Sequence, residues 1–486
     1  WKHEKIWDED SVIQFFSPSP SGEQLAIITT PDNRLITNEG WSTIGIYDVS
    51  TQETILLDDT MWRAEAPSPY GWLESPLWSS DGTRLVFTID FDGYPREMYV
   101  ASLSDEETNI QQVERKGEVS IDSNPEWMPQ SHDLLYIAEQ KTRRPLVRIS
   151  DVGEGKQGDT TEVIANNLVC WDFNIADQSK EVVALAGSMN KLTSIVLASE
   201  NPNDVKVIAN PNKHTDRWLL PLLSVVKWKA PDGTEIEGVL EIPSGHERHD
   251  GPLPMYVNLH GGPTSAETSS LEFSMYGRGL LSSQGWAVFS PNYRGSTGYG
   301  DAFLTDLIGR ENDIEVQDIL AGVDAMVKRG IADPNRLAVG GWSNGGYLTN
   351  CLITKTSRFK AASSGAGVFS QTMQWSIEDT PGHVVNYAKG LPWSVPEELQ
   401  EMSPIFEADN IATPTIIHVG AGDERVPAEQ SKALYRALHD YLDVPTQLII
   451  YPGTGHGISK MSHRRAKIEW DAAWLQRWVL EQDEEH

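Results

Sequence analysis

Cysteine is nearly missing from this chain: Cys170 and Cys351 are the only two in 486 residues. They fall in different halves, so a disulfide framework is not expected. Two unpaired thiols favour a reducing, cytoplasmic compartment. Basic residues are scarce too, 39 Lys and Arg against 70 Asp and Glu, which leaves a net charge of −31. Such a surface repels nucleic acid and anionic membranes, so neither is expected as a partner. Its simplest consequence is solubility. Long apolar runs are also lacking. The stretch Trp218-Leu219-Leu220-Pro221-Leu222-Leu223 is far below membrane-spanning length and is interrupted by proline. The chain opens at Trp1 with no methionine and no signal-like apolar segment, as a processed or cropped product would. A leader already removed would leave no trace.

What is present describes an ordinary globular protein. Hydrophobic residues make up 39% and aromatics 9%, enough for packed cores. The length predicts two domains. Up to about residue 214 the chain repeats short strand patterns. Ser17-Pro18-Ser19-Pro20-Ser21-Gly22 before Leu25-Ala26-Ile27 is echoed by Ser75-Pro76-Leu77-Trp78-Ser79-Ser80-Asp81-Gly82 before Leu85-Val86-Phe87. Asn124-Pro125-Glu126-Trp127-Met128-Pro129 before Leu134 is a third copy, and Trp171 to Asp177 before Val182 a weaker fourth. Leu25, Leu85, Leu134 and Val182 follow one another at steps of 60, 49 and 48 residues. Turns between paired strands at that period predict a β-propeller, here of about four blades, with a generic antiparallel sandwich as the alternative. The junction is expected near Pro211 to Asp216, which gives domains at 1–214 and 215–486. Val225 to Lys229 and the Pro231-Asp232-Gly233 turn would open the second.

The second part carries the chemistry. Leu337-Ala338-Val339-Gly340 reads as a buried strand, Gly341-Trp342-Ser343-Asn344-Gly345 as a sharp turn, and Gly346 to Ile353 as a helix. Strand, Gly-x-Ser-x-Gly turn and helix make the nucleophile elbow of an α/β-hydrolase, a doubly wound and mostly parallel sheet. Serine needs a base to take its proton, usually a histidine oriented by a carboxylate. In this fold the order is Ser, Asp or Glu, His. Asp423 follows the strand Pro414 to Gly420, and His456 follows the strand Gln447 to Tyr451 in a glycine-rich loop. All three candidates thus sit at C-terminal strand ends, where open α/β sheets bind ligands. Glu424 is the alternative carboxylate. Among other histidines, His418 lies in an apolar strand as a core residue. His439 falls on a helix surface, and His463 heads a basic, solvated helix face. The oxyanion of a tetrahedral intermediate needs two donors. One is expected from the Asn344 backbone N–H, the other from His260-Gly261-Gly262-Pro263 after the strand Met255 to Leu259. His260 is expected to order that loop.

These segments, with Asn292-Tyr293-Arg294-Gly295-Ser296-Thr297-Gly298-Tyr299-Gly300 and Asp423-Glu424-Arg425-Val426-Pro427, resemble the prolyl oligopeptidase family of serine peptidases. The acylaminoacyl-peptidase branch is the nearest likeness, and the resemblance covers roughly residues 215 to 486. It implies Ser343 as nucleophile, Asp423 as orienter and His456 as base, with Gly262 and Asn344 supplying the oxyanion donors. It also implies substrate-backbone contact by Arg425, although an arginine there could equally fix its loop. Four repeats are fewer than the blades usual in that family, so the first blades lie upstream of Trp1 or the ring is small or open. The expected activity is hydrolysis of short peptides through an acyl-enzyme, with no cofactor or metal. A carboxylesterase on the same triad and a catalytically idle propeller that binds protein are the alternatives. Dipeptidyl-peptidases of the family hold the substrate amine with paired glutamates; Glu106-Glu107 occur here, in what reads as a polar turn. Self-association into a homo-oligomer is left open.

Overall fold

A computed structural model describes residues 11–31, 42–64, 66–67, 71–104, 108–117, 119–164, 168–199, 201–246, 250–273 and 278–480. The chain divides into two compact units. The first comprises residues 1–186, 194–210 and 298–301, the second residues 187–193, 211–297 and 302–486.

Among the described residues the first unit is built on four antiparallel sheets. Their strands are Ser11–Pro18, Gln24–Pro31, Thr43–Asp48 and Glu53–Leu56 (β1–β4), then Trp72–Trp78, Arg84–Asp90, Glu97–Leu103 and Thr108–Gln112 (β5–β8). Ser120–Ile121, Glu126–Trp127, Leu134–Glu139, Leu146–Ile149 and Thr160–Ile164 follow (β9–β13), and the last sheet holds Val169–Ile175, Val182–Ser188, Lys191–Leu197 and Lys206–Ala209 (β14–β17). The four repeat leucine and valine positions lie at the start of β2, β6, β11 and β15, each the second strand in the four-strand path of its sheet. One turn precedes each of them. In the second copy Ser79 Oγ donates to Asp81 at 2.7 Å, the Thr83 N–H to the same carboxylate at 3.1 Å, and the Arg84 N–H to Ser79 Oγ at 2.9 Å. In the first copy the Gln24 N–H reaches Ser19 Oγ at 3.1 Å and the Glu23 N–H reaches Ser21 Oγ at 3.2 Å. Short polar side chains that bond the backbone two residues on are what make such turns.

Successive sheets share their cores. Leu85, Phe87 and Ile89 of β6 pack with Ala26, Ile28, Ile44 and Ile46, whereas Val86 packs with Tyr136, Ala138 and Val147. Leu135 and Ile137 of β11 face the other way, toward Phe173, Val182 and Ala184. Because side chains alternate along a strand, β6 and β11 each feed two cores, and the sheets stack in series. A two-layer sandwich would not give that series; the arrangement is propeller-like.

The second unit holds an eight-stranded mixed sheet of Leu222–Lys229, Glu235–Ile242, Leu253–Leu259, Ala287–Asn292, Ala332–Trp342, Phe359–Gly365, Thr415–Gly420 and Thr446–Tyr451 (β18–β25). Its order is β18-β19-β21-β20-β22-β23-β24-β25. The first hairpin is antiparallel, β19 pairs antiparallel with β21, and the remaining strands run parallel. Alternate residues of the parallel strands bury both faces. Met255, Val257, Leu337 and Val339 pack under the helices Ile314–Lys328 and Asn344–Lys355, while Tyr256, Val288, Ala338 and Ile416 pack under Trp474, Leu475 and Val479. This is the α/β-hydrolase layering, which leaves the C-terminal strand ends open for a site.

Candidate active site

Ser343 stands between the end of β22 and the helix Asn344–Lys355 with φ 59° and ψ −121°. A non-glycine residue in that region costs about 1–3 kcal/mol, and the surrounding packing must hold it. Here it does: the Ser343 N–H bonds the Gly365 carbonyl at 2.9 Å. Glycine is required next to it, because a Cβ on Gly345 would lie 2.1 Å from the Leu259 carbonyl oxygen. The turn sets the hydroxyl at the N-terminus of the helix, whose first N–H groups have no intrahelical acceptor.

Residues separated by 80 and 33 positions meet there. His456 Nε2 lies 2.9 Å from Ser343 Oγ, and His456 Nδ1 lies 2.9 and 3.1 Å from the two oxygens of Asp423. The Asp423 side chain is fully buried, and its Oδ1 also accepts the Val426 N–H at 2.9 Å. The loops that carry Asp423 and His456 are knitted together by bonds from the Ala421 N–H to the Tyr451 carbonyl and from the Gly422 N–H to the Thr454 carbonyl, both 2.9 Å. Trp342 adds a further tie, its indole N–H donating to the His456 carbonyl at 2.9 Å. Chemically the arrangement can pull a proton from the serine hydroxyl and place positive charge beside a buried carboxylate.

The Gly261-Gly262 loop sits against the elbow: a Cβ on Gly261 would be 3.4 Å from Ser343 Cβ. Gly262 is exposed, at φ 117°, a conformation open to glycine alone among common residues. Asn344, the first helical residue, is 9% exposed. His260 does not reach Ser343 or His456; its Nδ1 meets the Gly261 carbonyl at 2.8 Å and its Nε2 meets Ser296 Oγ at 3.0 Å. Burial pushes its pKa down, so the ring is neutral and serves the loop.

The other candidates separate by position. Glu424 is exposed and its carbonyl accepts the Asp379 N–H, whereas Asp423 alone touches His456. Arg425 donates from Nε to Asp379 at 2.7 Å, and its side chain remains 40% exposed. That ion pair ties the Arg425 loop to Asp379. His418 is fully buried between the Tyr451 hydroxyl and Asp471, each at 2.9 Å. His439 is exposed beside Asp440. His463 departs from the solvated face expected of it: it is half-buried, with Nδ1 2.9 Å from Thr454 Oγ1 and its ring on Tyr451. The helix packs back onto the loop before His456, which the basic run that follows His463 does not reveal. Glu106 and Glu107 lie outside the described residues. Among the described residues no group of three or more His, Cys, Asp or Glu side chains is placed to hold a metal ion, and no helix is long and apolar enough to cross a membrane.

Residues 271–482 match the family described as prolyl oligopeptidase. The chain carries a domain of the prolyl oligopeptidase family. An uncharacterized peptidase of Bacillus subtilis, YuxL, is 31% identical over 248 residues, 50% of this chain and 37% of its own. The acylamino-acid-releasing enzyme of Arabidopsis thaliana is 33% identical over 234 residues, 46% of this chain and 30% of its own. The matched stretch therefore spans about a third of these relatives. In fold the likeness runs the full length: a puromycin-hydrolyzing peptidase of Mycobacterium tuberculosis superposes with a TM-score of 0.75 at 21% identity, covering 98% of this chain and 71% of the other. The likeness in fold thus takes in both units, the propeller-like sheets and the α/β-hydrolase, whereas the family match lies within the second. Sequence reasoning gave no role to Trp342 or Tyr293, although both stand inside motifs it singled out.

Proposed function

We propose that the protein is a serine peptidase that hydrolyses short peptides through an acyl-enzyme, with residues 215–486 as catalytic domain and 1–214 as accessory domain. The observation that carries this is the Ser343–His456–Asp423 chain of hydrogen bonds at the strand ends. Ser343 Oγ attacks the scissile carbonyl while His456 Nε2 takes its proton. Asp423 keeps the other ring nitrogen protonated and stabilises the imidazolium. The oxygen of the tetrahedral intermediate is met by the Asn344 and Gly262 N–H groups, aided by the positive end of the helix. The intermediate collapses as His456 returns the proton to the leaving amine. Water, deprotonated by the same histidine, then releases the acyl group and regenerates serine. Blocked amino-terminal peptides are the substrate class we favour, because one of the matched relatives is named for releasing acylated amino acids. A panel of acetylated, free-amine and internally placed chromogenic peptides, with matched esters, tests the assignment. Turnover of acetylated peptide amides is expected. Ester turnover with no amide turnover would make the protein a carboxylesterase instead.

A further inference from the structure

The two oxyanion donors of the proposed mechanism belong to separate chain segments, the loop after β20 and the helix after β22. Something must hold them at a fixed spacing, since donors stabilise a developing charge only where their geometry is set beforehand. Tyr293 stands between them. Its hydroxyl donates to the His260 carbonyl at 2.8 Å, next to the Gly261-Gly262 turn, and accepts from Asn344 Nδ2 at 3.1 Å. Tyr293 is fully buried and its ring stacks on the His260 imidazole with centroids 4.3 Å apart and planes 6° from parallel. The segment that bears it is itself anchored. The Arg294 N–H and guanidinium bond Asp318 at 3.0, 3.0 and 2.7 Å, and Ser296 Oγ lies 2.7 Å from the Tyr293 carbonyl. Burial raises the phenol's pKa well above its ordinary value, so it remains a donor at every working pH.

We propose that Tyr293 is a positioning residue for the oxyanion hole, its hydroxyl fixing the Gly262 turn against the Asn344 end of the nucleophile helix. It touches neither substrate nor Ser343, and acts through the two backbones. The link closes a ring of contacts, β20 loop to phenol to Asn344 side chain to helix, whose fourth side is the site itself. This inference rests on the serine-hydrolase reading above.

Tyr293→Phe keeps the ring and its stacking and removes only the hydroxyl. A neutral hydrogen bond of about 1 kcal/mol corresponds to a several-fold to tenfold effect on rate. The expected result is a kcat lowered by about fivefold with KM within twofold of wild type, because the loss is felt when charge develops on oxygen. Affinity for a peptidyl boronic acid, which forms a tetrahedral adduct on serine, should fall by the same factor, and affinity for the product should not change. Asn344→Ala cuts the same link from the other side and serves if Tyr293→Phe does not fold. The double variant should lose little more than either single one, since they break one connection. Stoichiometric labelling of Ser343 by a phosphonate should persist in each variant. If the wild type is not labelled, the serine-hydrolase reading fails. If it is labelled and Tyr293→Phe shows unchanged kcat, or a raised KM alone, the positioning role fails.

Discussion

Asp423→Asn is the substitution that interrogates the site most sharply, because the structure dictates which way the new side chain must point. Asp423 Oδ1 accepts the Val426 N–H at 2.9 Å in a place sealed from water. Only the carbonyl oxygen of asparagine can take that position, so the NH2 group is turned toward His456 Nδ1. A donor there forces Nδ1 to be the acceptor and puts the imidazole proton on Nε2, the atom 2.9 Å from Ser343 Oγ. A nitrogen that already carries a proton cannot receive another from serine. Loss of the correct tautomer costs about 10⁴ in kcat, or ~5.4 kcal/mol. The assay is kcat on a chromogenic acetylated peptide, with circular dichroism and a denaturant midpoint to show that the fold is intact. Glu424→Gln, at the exposed neighbour, should stay within twofold of wild type. A folded Asp423→Asn enzyme within tenfold of wild-type kcat would refute the reasoning, and so would an equal loss in Glu424→Gln.

Ser343→Ala should abolish turnover, by about a millionfold in kcat, with an unchanged unfolding midpoint; mass spectrometry of the phosphonate-treated wild type should find the label on Ser343 alone. Gly345→Ala places a methyl 2.1 Å from the Leu259 oxygen; overpacking should destabilise the fold by roughly 1–3 kcal/mol, seen in urea unfolding, and an unshifted midpoint would mean that the elbow yields easily. Glu311 and Glu315 are buried together, and burial pushes them from 4.5 to about 7 and about 8, respectively. Their folded values are raised, so the native state binds more protons than the unfolded chain and stability falls as pH rises from about 4.5 through about 8. Glu311→Gln should flatten that decline between pH 5.5 and pH 8.5; an unaltered slope would place the titrating group elsewhere.

The sequence showed its local constructions plainly. A strand, a Gly-x-Ser-x-Gly turn and a helix lie within about twenty consecutive residues. Their meaning depends on contacts between near neighbours, so Ser343 was legible without coordinates. The repeated turns before Leu25, Leu85, Leu134 and Val182 were legible for the same reason, since in the second copy Ser79 and Asp81 accept backbone N–H groups of Arg84 and Thr83 close by in the chain. Glycine-rich loops at strand ends brought Asp423 and His456 forward as candidates. Their meeting depends on β22, β23, β24 and β25 lying side by side.

Other features belong to the tertiary structure alone. β21 pairs between β19 and β20, out of chain order, and that placement brings Tyr293 between the His260 carbonyl and Asn344, 51 residues apart from the latter. Trp342 reaches the His456 carbonyl across 114 residues, and His463 is drawn from its helix face onto Thr454. No pattern of neighbouring residues encodes such contacts. They arise when strand order and layer packing bring distant backbones within hydrogen-bond reach. The sequence by itself determined which side chains could do chemistry here; the folded sheet decided which other side chains hold them in place.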